Sequence, residues 1–420
     1  MKGIFKNYAA ALRAFRPNAR RFLAFTFLLS LAQSVYGLVF NLYILKTGYT
    51  MDFVGTLGAI PGLTVAALSI PLAVLTAGLP ARRMLLVSVG LSSAVMLGMA
   101  VFTGRAPLML LAVLGGAAGA LMGITSAPLM ARSSSQEERQ HFFSFQFAAS
   151  MVAAFAGSLC AGWLTRGWAA LFCAGEENAA AYRLTLFFAC LLMLAAARAA
   201  AGINEPDAAG KDSEGGFAEL NKGLALYVLL PQLMIGFGAG MIMPYLNIFF
   251  KSGFSLNIAS LGVCMSLMPL AMAVGGLIGP LAVRRLGQVR TMIFFQSLSI
   301  PFLATMGFSG LLVPTVMAAF ARTMLMNASW PVYSVFMLGH FPASQHQAVS
   351  SIYSAGWNLA NAASTRLSGR LQMDFGFTLP FLVTITCYAA ATLLLSRRFL
   401  RTEKANKKAA GPAAPEEGLE

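Results

Sequence analysis

One arginine stands in the middle of an apolar run. Arg322 is the twelfth of twenty-eight residues between 311 and 338. On a helix turning about 100° per residue, Ser329 and Tyr333 fall within about 40° of it. Thr323, Asn327 and Ser334 form a line beside them. A guanidinium flanked by hydroxyls is a fork for the oxygens of a carboxylate, sulfonate or phosphate. Inside a membrane an arginine costs at least about 2.5–3.5 kcal/mol and faces a partner or a watery cavity. The runs long enough to span hold no Asp or Glu away from their ends. Arg322 is left with backbone carbonyls, Tyr and Asn side chains, water or an anionic solute, so a purely structural arginine competes with a binding one.

Polar residues at helical spacing recur in other runs. Ser30, Gln33, Gly37 and Asn41 follow steps of three and four, as do Gln232, Gly236, Gly240, Met243 and Asn247. Such spacing places each set on one helix face. An amide there bonds either a neighbouring helix or a ligand. Trp330 and Trp357 lie mid-run and, with Asn358 and Asn361, suit an aromatic and amide wall in the second half. The residues form no hydrolase triad, metal cluster or nucleotide loop, and Gly236-Phe237-Gly238 follows no strand. The five cysteines lie singly, without disulfide or metal spacing. An enzyme, an ATP-driven pump, a metal site and a cofactor are therefore not expected.

The elements that must position these residues are membrane helices. Hydrophobic residues make up 58% of the 420 and charged ones 11%, against about 45–50% and about 25% in soluble domains. A spanning helix needs about 20 mostly apolar residues. Twelve runs qualify: 22–44, 53–78, 84–103, 107–130, 143–164, 184–203, 223–250, 257–282, 291–308, 311–338, 347–371 and 378–396. The first is too long for a signal-peptide core and reads as a retained span. With both termini cytoplasmic, twenty-two Lys and Arg residues face in and five (Lys46, Arg105, Arg166, Arg183, Lys251) face out. That bias obeys the positive-inside rule. The formal charge of +15 then reads as an orientation signal and an attraction to anionic lipid, not as a nucleic-acid footprint.

The chain repeats itself. Leu45 to Gly55 reads LKTGYTMDFVG and Phe250 to Ser260 reads FKSGFSLNIAS. Arg82-Arg83 and Arg284-Arg285 recur at a similar offset, and S-x-x-E/Q capping boxes at Ser135 and Ser344 precede the fifth and eleventh runs. Asp52 and Asn257 stand where helix caps belong. The most polar internal segment lies between the repeats. The division is a basic N-terminal segment 1–21, a six-helix bundle 22–203, a cytoplasmic linker 204–222, a second bundle 223–396 and a tail 397–420.

Six plus six helices, a charged middle linker and basic pairs in loops 2-3 and 8-9 resemble the major facilitator superfamily over nearly the whole chain. The family's loop motif is degenerate here, lacking its aspartate in both copies. The segments 236–250 and 321–338 are similar to that family's seventh and tenth helices. The resemblance implies an all-α integral membrane protein of twelve helices in two bundles related by a parallel repeat. It implies that helices 1, 4, 7 and 10 line a central cavity. Gln33, Asn41, Gln232, Asn247, Arg322, Asn327, Ser329, Tyr333, Trp357 and Asn361 become candidate substrate contacts, and Arg82, Arg83, Arg284 and Arg285 candidate gating residues. The expected function is secondary transport of a small organic solute, an anionic one being the class Arg322 suits, by a monomer among the lipids of the bacterial inner membrane. A multidrug exporter and a transporter-like sensor or assembly partner are the alternatives.

The charge bias generates a topology prediction. In a background lacking the native cysteines, single cysteines at Thr47 and Ser252 are expected to react with an impermeant maleimide outside intact cells. A cysteine at Ser213 is expected to stay unlabelled, and labelling there reverses the orientation.

Overall fold

Twelve helices follow one another in the computed structural model, which describes residues 17–76, 79–132, 139–172, 177–204 and 220–409. They are α1 (Pro17–Lys46), α2 (Met51–Thr76), α3 (Ala81–Val101), α4 (Arg105–Arg132), α5 (Arg139–Phe172), α6 (Ala179–Ala201), α7 (Lys222–Gly253), α8 (Ile258–Leu286), α9 (Gln288–Phe308), α10 (Leu312–Leu338), α11 (His346–Phe375) and α12 (Thr378–Ala409). No strand occurs among the described residues. Most of the expected linker and the outer parts of both termini lie outside them.

Each apolar run became a helix, and all the helices but α10 extend beyond their runs at one end at least. α1 is helical from Pro17, the first described residue, to Lys46. α12 continues past 396 to Ala409 through Arg, Lys and Ala, good helix formers uninterrupted by Gly or Pro. Ten of the twelve are long and apolar enough to cross a membrane. The other two, α10 and α11, are the helices that carry Arg322, Asn327, Asn361, Arg366 and Arg370.

Helix ends bear out one expectation and correct two. The Asn257 side chain accepts from the Ser260 N–H at 2.8 Å and caps α8 as anticipated. Asp52, its counterpart, lies inside the first turn of α2 and pairs with Arg366, so it is an ion-pair partner rather than the expected cap. Ser344 caps nothing: a 3₁₀ turn, Ala343–Gln345, moves the start of α11 to His346. The Ser135 box lies outside the described residues.

In the first half α1 packs on α5 and α6, α3 on α4 and α6, and α2 on α4. In the second, α7 packs on α11 and α12, α8 on α10, and α9 on α10 and α12. The halves meet through α2 with α11 and α5 with α8, so the second and fifth helices of each half exchange roles. Both crossings are glycine to glycine. A Cβ on Gly55 would lie 3.1 Å from the Gly369 Cα, and one on Gly162 would lie 3.0 Å from the Gly262 Cα. Only bare backbones approach so closely. Gly275 and Gly279 likewise admit α10 against α8, and on α4 Gly116 lies close against Pro61 and Thr64 of α2.

Candidate substrate site and the clasp above it

The broken helix α7 organises the interior. Pro244 brings no N–H to the Gly240 carbonyl, and the chain passes through a 3₁₀ turn, Met243–Tyr245, before resuming as helix. Within a membrane each freed carbonyl needs a donor. Thr365 Oγ1 donates to Gly240 O at 3.2 Å, Ser368 Oγ to Met241 O at 2.5 Å and Thr384 Oγ1 to Gly238 O at 2.9 Å. The Pro244 carbonyl takes its donor from the other half: Asn41 Nδ2 of α1, at 2.7 Å. Asn247 answers in the reverse direction, donating to Leu38 O at 2.9 Å while its Oδ1 accepts from Ile248 N at 2.9 Å and Asn41 Nδ2 at 3.4 Å. These two amides form a clasp between the halves.

The end of the bundle away from the termini is held by two further contacts. Glu177, in the connection before α6, accepts from Lys251 Nζ, from the Ile258 N–H at 2.8 Å and from the Tyr182 hydroxyl at 3.2 Å. Partial burial pushes its carboxyl up, but the Lys251 hydrogen bond, the Ile258 N–H, the lysine's charge and the Tyr182 hydroxyl outweigh it and leave the value lowered. The latch is therefore fully formed above the carboxyl's ordinary range and is lost as pH falls through the lowered value. Asp52 and Arg366 form the corresponding pair on the other side, more exposed and so worth less. Asn41, Asn247 and both latches thus close the same far end.

Beneath the clasp, α1 presents Gln33 and Gly37 on the face that carries Asn41, and both are exposed. Residues at i, i+4 and i+8 share a face. Since Asn41 and the Gly37 carbonyl reach α7, that face looks into the space between the halves.

Arg322 is 5% exposed. Its Nη1 lies 2.9 Å from Met243 Sδ, its Nη2 donates to the Tyr388 hydroxyl of α12, and its Nε is buried without a partner. The expected trio with Ser329 and Tyr333 is not assembled. Ser329 and Tyr333 are buried on the same helix, but Tyr333 donates to Val228 O at 3.4 Å and the Ser329 hydroxyl is unpartnered. Seven residues of helix place Ser329 about 10 Å along the axis from Arg322, too far for one small ligand group to bridge. Asn327 donates to the Thr323 carbonyl of its own helix at 2.8 Å.

A second group gathers nearer the termini. Trp330 and Trp357 have ring centroids 5.4 Å apart, and Tyr353 lies 5.4 Å from Tyr333 and 5.7 Å from Trp330. Trp357 packs on Gly236, where a Cβ would come within 2.8 Å of the indole, and Asn361 donates to Gly236 O at 3.4 Å. Gln232, on the same helix as Gly236, is buried. Trp357 and Asn361 thus lie against α7, while Asn358 donates to the Ser354 carbonyl of its own helix at 2.8 Å.

Of the basic loop residues, Arg82 donates to Ala201 O at 2.6 Å at the C-terminal end of α6, a favourable place for a cation. Arg83, Arg284 and Arg285 are exposed.

This geometry, two pseudo-equivalent bundles meeting at a discontinuous helix, agrees with the comparisons. A sequence model of the Major Facilitator Superfamily matches residues 22–321 and again 228–418. The chain belongs to the major facilitator superfamily. It is accordingly a multi-pass membrane transporter and not an enzyme. Similar solved structures include a mutant of the nucleoside transporter NupG, with 12% identity, a TM-score of 0.74 and coverage of 91% of this chain and 100% of that one. A D-xylose-proton symporter has 13% identity, a TM-score of 0.71 and coverage of 90% and 96%. The human organic anion transporter TETRAN has 14% identity, a TM-score of 0.63 and coverage of 90% and 100%. At these identities the likeness is one of fold. No curated protein matches the chain.

Several residues escaped the sequence reading. Tyr388 sits in a run with no other strong polar mark, and Glu177 lies in a connection where one carboxylate looks like another. The signal for Thr365 and Ser368 was present: hydroxyls on one face of the eleventh run, and a proline in the middle of the seventh.

The Arg82 contact makes a stability prediction. Replacement of Arg82 by Gln is expected to cost on the order of 1 kcal/mol and lower the apparent melting temperature in detergent. The same change at Arg83 is expected to leave it unchanged. Equal melting curves for the two variants would make both arginines topology signals only.

Proposed function

We propose that this facilitator is a secondary transporter of a small organic anion, working by alternating access between the two bundles. The observation that carries the substrate class is the environment of Arg322: an enclosed guanidinium whose neighbours are a thioether and a phenol, with no carboxylate. A buried charge left uncompensated is costly, and an anionic solute entering from the interior compensates it. The solute's path runs along the Gln33 and Gly37 face of α1, with Gln232, Asn327, Trp357 and Asn361 forming its opposite wall. Asn41 and Asn247 act on the clasp rather than on the solute. Rocking of the two bundles against each other exposes this space alternately to each side. The family resemblance to an organic anion transporter supports the class by analogy of fold alone.

The remaining assignments follow from charge. The excess of basic residues on the terminal side supports cytoplasmic termini in a bacterial inner membrane, and the bundle needs no second copy to complete the interior.

The test is uptake into liposomes by purified protein, with radiolabelled carboxylates, sulfonates and phosphates set against neutral solutes and cationic dyes. Wild-type protein is expected to carry an anion. Arg322→Lys is expected to bind it less tightly while keeping some preference, because a point charge replaces a bidentate fork. Arg322→Gln is expected to lose the preference. A folded Arg322→Gln protein that carries its substrate with unaltered affinity and rate makes the arginine structural and ends the anion reading.

A further inference from the structure

Three consecutive residues of α7 make three different contacts. Met243 meets Arg322 through its sulfur. The Pro244 carbonyl takes the Asn41 amide of the other half. The Tyr245 hydroxyl donates to Thr365 O at 2.6 Å, and it lies 2.6 Å from where a Cβ on Gly55 of the other half would stand. The turn that carries them is short, lacks a regular helix's hydrogen-bond ladder on one side of Pro244, and is flanked by glycines at 236, 238 and 240.

We propose that the Met243–Tyr245 turn is the element through which an anion at Arg322 releases the far end of the transporter. In the structure described, Arg322 holds Met243, and so holds Pro244 and Tyr245 in register with α1 and α2. A thioether is a weak acceptor beside a guanidinium. An oxyanion is a far stronger one, so it draws Nη1 away from the sulfur. The turn, no longer pinned from below, loses its register with Asn41 and Gly55, and the clasp opens. Met243 is thus a positioning residue, acting on the gate through Pro244, and Asn41 a gate residue rather than a ligand contact. The elements beneath stay fixed, because Thr365, Ser368 and Thr384 bond the α7 carbonyls from within the same half.

The proposal rests on the anion reading of Arg322 for its trigger but not for its lever, and the two are tested separately. Nitroxide labels on cysteines replacing Gly167 and Met373, both exposed and one on each half, report the far-end separation by double electron–electron resonance in nanodiscs, with native cysteines replaced. Without any added solute, Asn41→Ala, Met243→Leu and Arg322→Gln are each expected to raise the long-distance population roughly fivefold, as the loss of one hydrogen bond allows. Benzoate is the anion probe. It is expected to shift the wild-type population the same way, while Met243→Leu still binds benzoate by equilibrium dialysis but shows no further shift, a split that a merely structural methionine would not produce. If Asn41→Ala opens the far end while Arg322→Gln and Met243→Leu leave it as in wild type, the lever does not exist and the proposal falls. If those variants open it but benzoate neither binds nor shifts wild type, the lever stands and the anion reading fails.

Discussion

A proline in the middle of a membrane helix sets the terms for the rest of this molecule. Pro244 deprives the Gly240 carbonyl of its usual donor, and in a bilayer interior water is not at hand to replace it. The sequence answers with hydroxyls on the facing helices, Thr365, Ser368 and Thr384, which tie α7 to its own bundle. The Pro244 carbonyl is satisfied from across the divide by Asn41. That difference matters mechanically. Bonds within a half survive any motion of one half against the other, while a bond between halves must break during each cycle, so the clasp belongs to one state and the hydroxyl ladder to both.

Charge is distributed by the same logic. All fifteen acidic residues lie outside the apolar interiors of the spans, and two of them, Asp52 and Glu177, close the far end against Arg366 and Lys251. Glu177 is the stronger partner: it also receives the Ile258 N–H and the Tyr182 hydroxyl. Acids at the rim and Arg322 inside put opposite charges at the latches and in the interior, and the proposed anionic substrate rests on that arrangement. The glycine crossings complete the closure of the same end, since bare backbone at Gly55, Gly369, Gly162 and Gly262 lets the helices of the two halves approach closely.

Much of this was legible before the fold was known. The period and length of the apolar runs gave the twelve helices, and the repeated phrase around Lys46 and Lys251 marked equivalent positions of the two halves. Arg322 was recognisable because charge inside an apolar run is expensive. What could not be read was pairing across distance. Asp52 looked like a cap because local spacing says nothing about Arg366, which stands more than three hundred residues on. Ser329 and Tyr333 shared a face with Arg322, yet axial rise separated them while Met243 and Tyr388, on other helices, came within reach. Asn41 and Asn247 were legible as polar residues at helical spacing, but not their bonds to each other and to the backbone of the facing helix.

The most direct test of this account is an experimental structure of the protein trapped with its far end open, for example by a binder selected against that state. The account predicts that Asn41 has left Pro244 and that Glu177 has left Ile258, while the bonds from Thr365, Ser368 and Thr384 to the α7 carbonyls are intact. A far-end-open structure in which Asn41 still holds Pro244, or in which the hydroxyl ladder has broken instead, would contradict it.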